Sequence, residues 1–82
     1  MKQKKIAINN IEYTLQKVLP REWLKIKDRC TNRYGQPIEE KLYDEVLEHI
    51  VVAPKVKLDD FEDMAVVEEL VTAATQFQLG KG

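Results

Sequence analysis

His49 and Cys30 are the only histidine and cysteine in this 82-residue sequence, so any nucleophilic or proton-shuttling chemistry of those types must start from them. His49 stands four residues after Glu45 and seven after Leu42, at the edge of an apolar helical stripe. That position suits an ion pair or half-buried packing, and no catalytic role is expected. Cys30 lies in a helical pattern with no second cysteine for an internal disulfide, so a small buried thiol is expected rather than a redox centre. Four adjacent carboxylate pairs, Glu39-Glu40, Asp44-Glu45, Asp59-Asp60 and Glu62-Asp63, would suit acid–base or cation chemistry if they converged. Neighbours along a helix point in different directions, however, and nothing completes a metal site, so solvated charge is expected. Neither GxGxxG nor GxxxxGK[ST] occurs, which removes the usual phosphate cradles. The expectation is a chain without enzymatic activity, cofactor or metal.

Charge is distributed unevenly. Residues 1–33 carry nine Lys or Arg against three Asp or Glu, a balance of +6, and residues 34–82 carry four against eleven, a balance of −7. The net charge of −1 therefore conceals a dipole. Such a split can serve contact between halves, head-to-tail self-association, or a partner with two charged faces. Lys25, Lys27, Arg29 and Arg33 beside Trp23 and Tyr34 could make a basic patch for nucleic acid. An overall pI near 5.8 and the absence of an RNP-like segment argue against it. A small nucleic-acid-binding or transcriptional regulator using the basic N-terminal half is the alternative function.

The elements that must position these residues follow from periodicity. With 44% hydrophobic residues, the length supports one core and one domain over residues 1–82. Ile6 and Ile8, then Ile11, Tyr13 and Leu15, alternate with polar residues about Asn9-Asn10, which reads as a hairpin over about residues 4–18. A two-residue turn there pairs Ile8 with Ile11, Ile6 with Tyr13 and Lys4 with Leu15, leaving Lys5, Ala7, Glu12 and Thr14 on a solvated face. Pro20 suits the first position of a helix over about 20–33, with Trp23, Ile26 and Cys30 on its inner stripe. Gly35 and Pro37 break the chain before a second amphipathic helix over about 37–53. Asp59 or Asp60 can cap a third over about 60–78. The expected class is α+β, mostly α, with an N-terminal β-hairpin packed on about three α-helices. The longest uncharged apolar run, Ile50 to Pro54, is far short of the roughly 20 residues that cross a bilayer, so a cytosolic chain with no membrane partner is expected.

The third helix carries more apolar surface than one neighbour requires. Val66, Val67, Leu70, Val71, Ala74 and Phe77, with Met64 and Ala73, spread over about half its circumference. Two readings stand: the helix is sandwiched inside the core, or it also meets another chain through a partner-binding strip of Val66, Val67, Leu70, Val71, Ala74 and Phe77.

From Glu12-Tyr13-Thr14-Leu15-Gln16 through Trp23, Gly35, Tyr43, His49-Ile50-Val51-Val52-Ala53-Pro54-Lys55 and Asp59-Asp60-Phe61 to Phe77, the chain resembles the tail assembly chaperones of long-tailed bacteriophages and prophages. The resemblance spans most of residues 6–77. It implies a non-enzymatic factor that coats the long, largely helical tape-measure protein in the host cytoplasm and helps bring tail-tube protein to it. An apolar strip for an amphipathic helical client fits that role, and the charge dipole would let copies line up along the client.

Overall fold

The computed structural model describes residues 2–81. Its element order is β1 (Gln3–Ile8), β2 (Ile11–Gln16), α1 (Pro20–Arg29), α2 (Glu39–His49), β3 (Val51–Ala53), a 3₁₀ turn (Leu58–Asp60) and α3 (Met64–Gln78). The fold is α+β.

β1 and β2 pair antiparallel in the expected register, with Ile8 opposite Ile11, Ile6 opposite Tyr13 and Lys4 opposite Leu15. Asn9 and Asn10 both take positive φ, 52° and 67°, which is the backbone of a two-residue turn whose twist matches the strands it joins. Ile8, Tyr13 and Leu15 are buried, while Lys5, Ala7 and Glu12 on the other face are exposed.

The sheet has a third strand that periodicity does not reveal. The second helix ends at His49, not near residue 53, and Val51–Ala53 pairs antiparallel with β2, giving the order β1-β2-β3. The Gln16 amide donates to the Ile50 carbonyl at 2.8 Å, so the free edge of β2 captures the chain as it leaves the helix. Lys55 then reaches back and donates from Nζ to the Glu48 carbonyl at 2.7 Å, satisfying one of the acceptors left over at the helix end.

Two further boundaries differ from expectation. α1 stops at Arg29 instead of about residue 33, because Cys30 turns out of the helix and Thr31 bridges to Pro37. The Asn32 side chain holds that loop, its Oδ1 accepting from the Tyr34 amide at 2.8 Å and the Gln36 amide at 3.0 Å. Gly35 sits within it at φ +80°, a conformation that disfavours any side chain. α3 begins at Met64 instead of about residue 60, and its cap is Asp63, whose Oδ1 accepts from the Ala65 amide at 2.9 Å. Asp60 is already engaged, accepting from the Lys57 amide at 2.8 Å to close the 3₁₀ turn, and extended Phe61 separates that turn from the helix.

One core gathers buried residues from every strand and α-helix, including Leu15 of β2, Trp23 and Ile26 of α1, Leu47 of α2, Val51 of β3 and Leu70 of α3. Cys30 is buried in it as well, and burial raises its thiol pKa above the ordinary value. α3 packs against α2 and against both hairpin strands. Its far end is fastened to the linker after β2 by Gln78, which accepts from the Val18 amide at 2.8 Å and donates to the Val18 carbonyl at 2.9 Å. No helix among the described residues is long and apolar enough to cross a membrane.

Candidate protein-interaction surface

The six residues proposed from sequence as a partner strip divide sharply. Val67, Leu70, Val71, Ala74 and Phe77 are buried in the core, and only Val66 is half-buried and reaches an open surface. The excess apolar face of α3 is explained by neighbours on two sides, the sheet and α2. A surface docking role for the five buried residues is therefore corrected to a core role. Lys17 completes the cover at the end of the helix, its Nζ lying 5.3 Å from the centre of the Phe77 ring.

Val66 lines a groove of about 390 Å³ between the hairpin and the start of α3. Its apolar walls are Ile11, Tyr13, Val56 and Phe61, and its polar rim is Asn9, Asp60, Glu62 and Asp63. Ile11, on the inner face of the hairpin, is 46% exposed and leaves the mouth of the groove apolar. The groove exists because Phe61 is held extended between the 3₁₀ turn and the α3 cap, which sets its side chain across from the hairpin turn.

A second concavity of about 400 Å³ opens on the other side of the segment 56–59. Leu47, Val56 and Leu58 form its floor, and Glu40, Asp44, Glu48 and Asp59 stand around it with Lys57. Glu40, Asp44 and Glu48 follow one another at intervals of four along α2, so each is one turn from a like charge, a pattern that costs an isolated helix about 0.2–0.5 kcal/mol per pair. Glu45 also lines it and is paired with Arg29, whereas among the described residues none of the other four carboxylates has a basic side chain within 4.0 Å.

The charge dipole is thus little used inside the molecule. Among the described residues, the single ion pair joining the basic and acidic halves is Arg29–Glu45, in which both Nε and Nη2 of the guanidinium donate to one carboxylate oxygen. That hydrogen bond, opposed in part by desolvation, raises the Arg29 pKa further above its ordinary value. His49 joins the same carboxylate, with Nε2 3.7 Å from Glu45 Oε1, an ion pair when the ring is protonated. The remaining ion pair, Lys25–Glu22 at 4.0 Å, lies wholly on α1.

The basic helix α1 presents a surface of its own. Leu24 is 59% exposed, with Arg21 three residues before it and Lys27 three residues after it, both exposed and to either side of it on the helix. Leu24 lies off the inner stripe of Trp23, Ile26 and Cys30 and faces outward. The acidic residues that sequence pairing set aside as solvated charge do not form a metal group, since no three His, Cys, Asp or Glu side chains converge for that purpose among the described residues. They rim apolar concavities instead, an arrangement that no spacing along the chain announces, because the rims combine residues of α2, the 3₁₀ turn and the α3 cap. No protein-family model, curated protein or solved structure matches the chain.

Proposed function

We propose that the chain is a non-enzymatic tail assembly chaperone of a long-tailed bacteriophage or prophage, acting in the host cytoplasm, where it coats the tape-measure protein and assists assembly of the tail tube. The observation that carries this reading is convergence: Tyr13, Asp60 and Phe61, three residues through which the sequence resembles that family, are far apart in the chain and line one open apolar groove with Ile11, Val56 and Val66. A groove with apolar walls and a polar rim suits one face of an amphipathic helix, the form expected of a tape-measure client. Other residues of the resemblance account for the frame around it: Ile50 to Ala53 make the end of α2 and the third strand, and Lys55 caps that helix. The client surface proposed here is therefore the groove, with Val66 the one residue retained from the helical strip.

Binding of the 82-residue chain to helical fragments of a tape-measure protein, measured by titration calorimetry, tests the reading. Wild type should bind and retain affinity at high salt, as apolar contacts do. Ile11→Asp should weaken binding at least tenfold, the loss of about 1.4 kcal/mol, with little change in stability because the side chain is half exposed. Failure to bind any such fragment, together with tight and steeply salt-dependent binding to nucleic acid, would replace this reading with the regulator.

A further inference from the structure

We infer that the acidic concavity beside α2 is the docking site for α1 of a second copy of this chain, so that copies associate head to tail. Both sides of the contact are present in one molecule. The concavity offers an apolar floor of Leu47, Val56 and Leu58 beneath the carboxylates of Glu40, Asp44, Glu48 and Asp59, with Lys57 and the Arg29-paired Glu45 also on its rim. α1 offers the complement, an exposed Leu24 between the cations Arg21 and Lys27. Leucine on apolar floor and cations on carboxylates are satisfied by the same approach, and each copy retains one unfilled surface of each kind. Charge complementarity is global as well as local, since the donor of the helix belongs to the +6 half and the concavity to the −7 half, with Arg29–Glu45 as the one ion pair between them among the described residues.

A second copy fits these facts better than an unrelated basic partner, because the chain itself carries a basic, leucine-bearing face, and the concavity's own cation, Lys57, is outnumbered by its carboxylates. The two surfaces differ, so the contact is heterologous and propagates as an open array or closes as a ring. It leaves Ile11, Phe61 and Val66 of the client groove outside the contact, and it does not depend on the client assignment above.

Sedimentation velocity of the 82-residue chain alone tests it. Association should increase with concentration and weaken as salt rises from about 0.05 to 0.5 M. Asp44→Lys with Glu48→Lys, and separately Arg21→Glu with Lys27→Glu, should each weaken self-association by about tenfold or more, because attraction is replaced by repulsion at exposed positions. An equimolar mixture of the two doubly reversed variants should associate again, because the unaltered helix of one meets the unaltered concavity of the other. Leu24→Asp should weaken association without changing the unfolding midpoint. A wild-type chain that is monomeric at about 1 mM in low salt overturns the inference. So does association that neither reversal affects, or a mixture that stays monomeric while each variant melts as wild type does. All of these readouts use the chain without a client, so their failure leaves the chaperone reading standing, and loss of client binding leaves the self-contact standing.

Discussion

Replacing Leu70 by Ala tests the core role of the apolar strip of α3. Leu70 is fully buried, and α3 lies against α2 on one side and β1 and β2 on the other. Truncating such a side chain removes its transfer free energy and leaves a cavity that rigid neighbours on two sides close poorly, which costs about 2–5 kcal/mol. A domain of 82 residues has a total stability of about 4–12 kcal/mol, so the loss is a large share of it. With a urea slope of about 1 kcal/mol per molar for so small a protein, the unfolding midpoint should fall by about 2 M or more. Met64 on the same helix is 56% exposed, and Met64→Ala should change stability by less than about 0.5 kcal/mol. Urea melts followed by the fluorescence of Trp23, which is buried in the same core, make the comparison directly. Val67→Asp should not fold at all, since it places a carboxylate where almost no solvent reaches. If Leu70→Ala and Met64→Ala shift the midpoint equally, or if Leu70→Ala spares the fold and abolishes partner binding, the core assignment fails and the strip is an interface.

Two other perturbations probe features outside the proposed binding surfaces. Gln78→Leu leaves both backbone groups of Val18 without their 2.8 and 2.9 Å partners in a half-buried site, so it should cost about 1–3 kcal/mol and speed exchange of the Val18 amide; unchanged exchange there would refute the clamp. Burial raises the Cys30 thiol above its ordinary 9.0, and burial followed by Glu68 and Glu39 raises the Tyr43 hydroxyl above 10.0. The unfolded chain therefore ionises first as pH climbs, and stability that is whole below about pH 9 should decline through 9 and 10 toward the folded values. Cys30→Ala combined with Tyr43→Phe should flatten that decline in urea midpoints, and an equally steep decline in the double variant would show that other groups cause it.

Local chemistry determined the parts of this protein that are settled between near neighbours. The hairpin and its register were legible because alternation places Ile6, Ile8, Tyr13 and Leu15 on one face, and two asparagines accept the positive φ that the turn demands. The N-terminus of α1 was legible in Pro20, and the burial of Trp23, Ile26 and Cys30 in their spacing. The third strand was not, because Ile50-Val51-Val52-Ala53 is a short apolar run that suits a helix end as well as a strand, and periodicity cannot separate the two. What separates them is the unpaired edge of β2, a feature of tertiary structure. The same limit governed α3: its wide apolar face was equally compatible with a core or a partner, and packing of both the sheet and α2 against it decided for the core. Both concavities depend on the same kind of information, since Tyr13 and Phe61 come to line one and Glu48 and Asp59 the other only after the chain has turned through the 3₁₀ segment. Charge imbalance was countable from residue types, but which charges find partners inside the molecule depends on distances of a few ångströms between helices, and those exist only in the folded chain.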